Sequence, residues 1–135
     1  MAALPFRHGA GTVLGLGTDL VEVERFRLAM ARRSRLGDRL FSDAERAYAS
    51  KQRDPAKPLA ARFAAKEAVM KALGVGLGSF ELRDVEVVRD DDAGTPSLVL
   101  RGRAEELARE RGVAAWHLSL THTDATAMAV VIATG

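Results

Sequence analysis

The sequence contains no cysteine, which excludes disulfide bonds and thiolate chemistry and suits a reducing compartment. Only three histidines are present, so a histidine-rich metal site is not expected. No apolar run is long enough to cross a membrane, and the N-terminal stretch lacks the charged and apolar segments of a signal peptide. We therefore expect a cytoplasmic protein with no membrane partner.

Aromatic residues are also scarce, with one Trp, one Tyr and five Phe, which leaves few platforms on which nucleic-acid bases could stack. The net charge of +2 gives no general attraction for polyanions, so any basic function must come from local clustering. What the chain does have is 135 residues of 47% hydrophobic composition, enough for one core. We expect a single domain over residues 1–135, in which residues 1–11 form a loose N-terminal extension.

The stretch "TVLGLGTDLVEV" alternates, with Leu14, Leu16 and Leu20 on one face and valines on the other. This pattern predicts a β-strand that is covered on both sides. Asp19 falls on the valine face, where a carboxylate is costly unless it is paired with a base or binds a cation.

The rest of the chain alternates between helical and strand patterns. Helical spacing runs through "ERFRLAMARRSRLGDRL" to a break near Gly37, Ser42 and Glu45 form a capping box, and a helix extends from about residue 59 to 73 before "GVGLG". Two strands joined by the acidic turn "RDDDAGTP", a helix over residues 103–111 and two further strands follow. These patterns predict an α+β domain with a mainly antiparallel sheet and packed helices.

The helix over residues 59–73 carries unexpected charges. Its apolar residues form one predicted core-facing stripe, which includes Lys66 and borders Arg62, while Glu67 and Lys71 lie one turn apart beside small alanines. In one interpretation Glu67 and Lys71 form a surface ion pair worth about 0.2–0.5 kcal/mol, and Lys66 extends from the edge of the stripe to solvent. In the other, Glu67 and Asp19 share a hard cation such as magnesium while the lysines neutralise a phosphate.

Three segments, "GLGTDLVEVERF", "RFAAKEAVMKALG" and "WHLSLTHTDATAMAVVIA", together resemble the holo-acyl-carrier-protein synthase family of 4′-phosphopantetheinyl transferases. Their order and spacing cover nearly the whole chain. The resemblance implies transfer of the 4′-phosphopantetheine arm of coenzyme A to a serine of apo acyl carrier protein, with release of adenosine 3′,5′-bisphosphate, in support of fatty acid biosynthesis. It also implies magnesium, the transferase fold and a homotrimer whose active sites lie between subunits.

The resemblance further implies roles for individual residues. Asp19 and Glu67 would bind magnesium, which would bridge them to the pyrophosphate, and Lys71 would complete the catalytic group. The serine proton would pass either to a water molecule assisted by Glu67 or directly to a carboxylate. The residues expected to bind coenzyme A are Arg62, Lys66, Lys71, Gly74, Gly94, Pro96, Ser119, Thr121 and His122. The family's Gly-Lys/Arg-Pro turn appears here as Gly94-Thr95-Pro96, so its basic contact is absent.

Six arginines lie between Arg25 and Arg39 against one acid, Asp38, which is a local charge of +5. The resemblance implies that Arg25, Arg32 and Arg35 dock the acidic carrier protein. Two alternatives remain open from the residues alone. The arginines can form an ordinary solvated helix face, or they can bind nucleotides or RNA in a non-catalytic module in which Asp19 and Glu67 are structural ion-pair partners. The few aromatic residues argue against the nucleic-acid alternative.

Overall fold

Two antiparallel sheets and five helices build the fold of residues 11–89 and 94–135, the part of the chain that this computed structural model describes. The strands are β1 (Val13–Glu22), β2 (Val85–Arg89), β3 (Pro96–Leu100), β4 (Ala115–His122) and β5 (Thr126–Thr134). The helices are α1 (Val23–Arg32), α2 (Leu36–Leu40), α3 (Asp43–Ser50), α4 (Ala56–Leu73) and α5 (Gly102–Glu110). Most of the expected N-terminal extension and the centre of the acidic turn lie outside the described residues.

The predicted α+β architecture with antiparallel pairing is confirmed, but the strands divide into two sheets. One sheet has the order β1-β5-β4, and the other is the β2-β3 hairpin. In the larger sheet Asp19 lies opposite Ala129, and Leu120 lies opposite the same residue on the far side. The register therefore places Asp19 and Leu120 on the same face of that sheet.

Helix α4 packs directly on the backbone of β1. A Cβ atom at Gly15 would lie 1.9 Å from the carbonyl oxygen of Ala72, and one at Gly17 would lie 1.8 Å from that of Ala68. Only glycine allows an approach this close. The two glycines of the "GLG" segment thus fix the distance between the strand and the helix.

The predicted core-facing stripe of α4 does lie in the core, but the helix is buried well beyond that stripe, over most of its circumference. Ala60, Ala64, Ala65 and Ala68 are completely buried. The space beside these alanines is filled by the sheet and by the α1 side of the core. Small side chains here serve close packing between elements.

The expectation that β1 is covered on both sides is also wrong for the chain on its own. Leu14, Leu16 and Leu20 are 44%, 60% and 66% exposed. Met128 lies opposite Leu20 and Ile132 lies opposite Leu16, so β5 continues the same apolar face. An exposed apolar strand face of this kind is unusual on a monomer and is a candidate interaction surface.

The helix boundaries depart from prediction by a few residues. Helix α1 ends at Arg32 and α2 begins at Leu36, so Gly37 lies inside a helix rather than at its end. The capping box is confirmed: Ser42 Oγ accepts a hydrogen bond of 3.2 Å from the Glu45 amide, and Glu45 Oε1 accepts one of 2.9 Å from the Ser42 amide. Gly74 ends α4 in the left-handed conformation, with a φ of 68°.

None of the described helices combines the length and the apolar character that crossing a membrane requires.

Candidate active site

Asp19 and Lys71 meet where β1 crosses the C-terminal half of α4. Lys71 Nζ lies 3.3 Å from Asp19 Oδ1 and donates a 2.8 Å hydrogen bond to the carbonyl of Thr18. The Asp19 side chain is 19% exposed and that of Lys71 is 56% exposed. The expected surface pair between Glu67 and Lys71 is therefore replaced by a pair that joins the helix to the strand.

Glu67 is half-buried beside this pair and, within the described residues, makes no hydrogen bond or ion pair. Burial raises the pKa of Glu67 above its ordinary value, and the negative charge of Asp19 raises it further, while Lys71 acts in the opposite direction. The two carboxylates thus lie close enough to repel each other. The structure brings together Asp19, Glu67 and Lys71, as the resemblance implies.

The chemistry of this group fits a hard divalent cation. Two carboxylates supply oxygen ligands and negative charge, and such a site leaves the other coordination positions to water or phosphate, the arrangement that magnesium favours. In the described part of the chain no cluster of three or more His, Asp or Glu side chains is placed to hold a metal ion. Asp19 and Glu67 are the two carboxylates that could hold such a cation at the crossing of β1 and α4.

A separate cleft of about 810 Å³ lies between α3, α4, the β2-β3 hairpin and the end of β4. Four residues from the expected coenzyme A set line it: Arg62, Gly94, Pro96 and His122. The other lining residues are Tyr48, Gln52, Arg53, Asp54, Lys57, Pro58, Ala61, Arg89 and Leu120. Four Arg and Lys side chains line the cleft against one carboxylate, so it favours an anionic ligand.

Arg62 is the most enclosed cation of this cleft, at 4% exposed. It donates a hydrogen bond of 3.3 Å to the carbonyl of Pro58, and its Nε atom, which is covered by the surrounding residues, has no hydrogen-bond partner within the described part of the chain. Burial lowers the pKa of Arg62 from its ordinary value. A guanidinium that lines a cleft from a largely buried position favours an anionic ligand there.

The prediction that Lys66 contacts a phosphate is wrong, because Lys66 points into the core. Its side chain is completely buried, and Nζ donates to Glu45 Oε1 at 2.8 Å, to the Leu82 carbonyl at 3.1 Å and to the Val85 carbonyl. Burial lowers the pKa of Lys66, and Glu45 opposes this effect. Moving Lys66 to a ligand would leave the Glu45 carboxylate buried without its cation, which is strongly unfavourable.

Ser119 and Thr121 lie on the other face of β4 from His122. Their strand partners are Val130 and Met128, so they share the open face of the sheet with Leu16 and Leu20. Within one chain they do not reach the cleft. Nor do Asp19, Glu67 and Lys71 line it, and the expected site residues are thus divided between three places on the chain.

Several cleft residues were not anticipated from the sequence: Tyr48, Arg53, Lys57 and Arg89. The basic loop "KQRDPAKP" was the available signal for two of them, since it supplies Arg53 and Lys57. Tyr48 and Arg89 carry no comparable pattern. They reach the cleft only because α3 and the hairpin pack against α4.

The arginine-rich segment is not uniformly available to a partner. Arg27 donates two hydrogen bonds, of 2.6 and 2.8 Å, to Asp54 and another of 3.1 Å to Glu24. These carboxylates raise the pKa of Arg27 above its ordinary value, and this arginine ties α1 to the loop before α4. Arg25 is exposed. Arg32 and Arg35, with Arg33, Ser34, Leu36 and Arg39, line a second cleft of about 440 Å³.

Comparisons with known proteins show the family and the fold of this chain. The family model of the 4′-phosphopantetheinyl transferase superfamily matches residues 15–131. A holo-[acyl-carrier-protein] synthase of Moorella thermoacetica is 46% identical over 120 residues, which cover 89% of this chain and 93% of the relative. Two solved holo-[acyl-carrier-protein] synthases share the fold. The Neisseria meningitidis structure has a TM-score of 0.82 and 28% identity, covering 90% of this chain and 98% of that one. The Bacillus anthracis structure, in complex with CoA (3′,5′-ADP), has a TM-score of 0.76 and 29% identity, covering 93% and 99%.

Proposed function

The chain belongs to the 4′-phosphopantetheinyl transferase superfamily, and from this premise we propose that it is a holo-[acyl-carrier-protein] synthase. In this proposal it transfers the 4′-phosphopantetheine arm of coenzyme A to a serine of apo acyl carrier protein and releases adenosine 3′,5′-bisphosphate. The observation that carries the proposal is the convergence of Asp19, Glu67 and Lys71, from two distant segments, at the crossing of β1 and α4.

Coenzyme A offers two kinds of phosphate, and the chain offers two matching environments. The cation-rich cleft suits the 3′-phosphate monoester and the adenosine, with Arg62 and His122 as donors and the backbone at Gly94 and Pro96 as a wall. The carboxylate pair suits the pyrophosphate through magnesium, which neutralises the charge on the departing bisphosphate when it is bound. Lys71 neutralises a further phosphate oxygen from the same side.

Transfer requires the serine oxygen of the carrier to attack the β-phosphorus while the bond from that phosphorus to the bridging oxygen breaks. The serine proton passes to the Glu67 carboxylate or to a water molecule that this carboxylate orients. The bridging oxygen leaves with its electron pair as part of adenosine 3′,5′-bisphosphate.

The assembly we propose is a homotrimer with active sites between subunits. Two observations support it. The exposed face formed by Leu14, Leu16 and Leu20 needs a cover, and the expected site residues are divided within one chain. A second copy on this face would bring Ser119 and Thr121 against a neighbouring subunit.

The remaining parts of the proposal concern partner and setting. Arg25, Arg32 and Arg35 would dock an acidic carrier protein through charge complementarity. A single domain over residues 1–135, a cytoplasmic location and a role in fatty acid biosynthesis complete the proposal. Chain length and composition support the first, the lack of cysteine suits the second, and the family resemblance supports the third.

The test follows the nucleotide product. Purified protein is incubated with coenzyme A, magnesium and an apo carrier protein, and adenosine 3′,5′-bisphosphate is quantified by chromatography. We expect its release to require all three additions. Release at the same rate without the carrier would contradict the transfer and would indicate hydrolysis of coenzyme A instead.

A further inference from the structure

Tyr48 contacts two guanidinium groups that both face the cation-rich cleft. The Arg62 guanidinium carbon lies 4.3 Å from the centre of the Tyr48 ring, and that of Arg89 lies 5.8 Å from it. Arg89 also donates a 2.9 Å hydrogen bond from Nη1 to the Tyr48 hydroxyl. Tyr48 lies on α3, Arg62 on α4 and Arg89 at the end of β2. Both arginines contact the tyrosine.

This arrangement concentrates the positive charge of two guanidiniums around one ring, and Glu45 offsets part of the charge of Arg62. The charge of Arg89 is among the factors that lower the pKa of Arg62, so the two guanidiniums repel each other. A carboxylate partner would remove this repulsion but would also consume the N–H donors, as Asp54 does for Arg27. The face of an aromatic ring attracts guanidinium groups without accepting their N–H groups, so Tyr48 occupies fewer donors than a carboxylate would, although its hydroxyl accepts one from Arg89.

We propose that Tyr48 is a positioning residue, which holds Arg62 and Arg89 as a preformed pair for a dianionic phosphate monoester. This inference rests on the proposed function, in which the monoester is the 3′-phosphate of coenzyme A. Both arginines line the cleft, and the side chain of Arg62 is held almost completely buried there, at 4% exposed. Arg89 Nη2 would lie 3.8 Å from a Cβ atom placed on Gly94, which also lines the cleft.

The choice of a monoester follows from charge and shape. The fork of a guanidinium matches two oxygens of a phosphate group, and two forks match a group with three terminal oxygens. Such a group carries close to two negative charges at neutral pH. A phosphodiester offers only two terminal oxygens and one charge, so it would bind the two guanidiniums less strongly.

The experiment compares two donors in the Tyr48→Leu and Tyr48→Phe variants: coenzyme A and 3′-dephospho-coenzyme A, which lacks only the monoester. Tyr48→Leu should raise KM for coenzyme A about tenfold and leave KM for 3′-dephospho-coenzyme A within about twofold, with kcat little changed. Tyr48→Phe keeps the ring but loses the hydroxyl, so we expect a smaller rise, about twofold to threefold. Arg109→Ala, which removes an exposed arginine on α5, is the matched charge control and should change neither constant.

Equal rises in KM for both donors, or no rise for coenzyme A, would overturn the positioning role while leaving the proposed function intact. If Tyr48→Leu does not fold, Tyr48→Phe decides, since an unchanged ratio of the two KM values contradicts the proposal.

Calorimetry provides a readout that is independent of turnover. Wild type should bind adenosine 3′,5′-bisphosphate more tightly than adenosine 5′-monophosphate, and Tyr48→Leu should narrow the difference. Equal binding of both nucleotides by wild type would refute the monoester assignment.

Discussion

Asp19 and Glu67 are the two residues on which the proposed chemistry depends most. Asp19→Asn and Glu67→Gln keep the shape of each side chain and remove its charge, so we expect a folded protein that transfers at least about 10²-fold more slowly at saturating magnesium. Glu81→Gln, which changes an exposed carboxylate outside the site, should transfer at the wild-type rate. Near-normal turnover by both Asp19→Asn and Glu67→Gln would refute the assignment of these carboxylates.

The residue types and motifs predicted that Asp19 and Glu67 lie close together, but they gave Lys66 the wrong surroundings. The sequence placed Asp19 on a strand face and Glu67 on a helix face, and the motifs brought the two together. It could not show that Lys66 turns inward, because its partner, Glu45, is already explained locally as part of a capping box. That Glu45 also accepts hydrogen bonds from Lys66 and from the Val87 amide is visible only once α3, α4 and β2 are packed.

The contact between β1 and α4 sets the position of Asp19 relative to Glu67. In Gly17→Ala the added methyl group meets the Ala68 carbonyl at 1.8 Å, so the strand must move away from the helix. We expect a loss of about 1–3 kcal/mol in the free energy of unfolding, measured with urea, and a clear loss of transfer activity. Gly76→Ala, where a Cβ meets nothing within 4 Å, is the matched control. Similar stability and activity in the two variants would contradict this account of the packing.

A further prediction at the level of helices and strands concerns the arginine-rich segment. Reversing charge at Arg25 and Arg32 together should raise KM for the carrier protein and change KM for coenzyme A much less, because exposed charges act mainly on encounter. Added salt should weaken the wild type in the same direction, since screening acts over about 8–10 Å at 0.1–0.15 M ionic strength. Loss of coenzyme A affinity with normal carrier affinity would instead assign these arginines to the nucleotide, and no change in either would make them an ordinary solvated surface.

The ends of the helices were easier to predict from the sequence than the packing of other elements around them. The capping box at Ser42 and the glycine after α4 mark helix ends through local hydrogen bonds and backbone geometry, so the sequence contains them directly. The burial of α4 does not follow from periodicity, because its many alanines lack a distinct polar face. The division into two sheets likewise depends on how the hairpin packs, which is a property of distant contacts.

The proposed trimer explains why an apolar strand face is exposed on a single chain. Leu16→Glu places a charge on that face, where it remains solvated in a monomer and becomes buried in an assembly. We expect the wild type to scatter light as a trimer and the variant to be smaller and less active. Leu77→Glu is the control, since Leu77 is 82% exposed in the loop after α4 and belongs to no strand. A fully active wild-type monomer would contradict the interfacial site.

The proposed transfer is tested most directly by the intact mass of a carrier protein before and after incubation with this protein, coenzyme A and magnesium. We expect a mass gain of one phosphopantetheine arm, which disappears when a chelator removes the magnesium or when the acceptor serine of the carrier is replaced by alanine. An unchanged mass, with a carrier that a known transferase modifies in parallel, would contradict the proposed transfer.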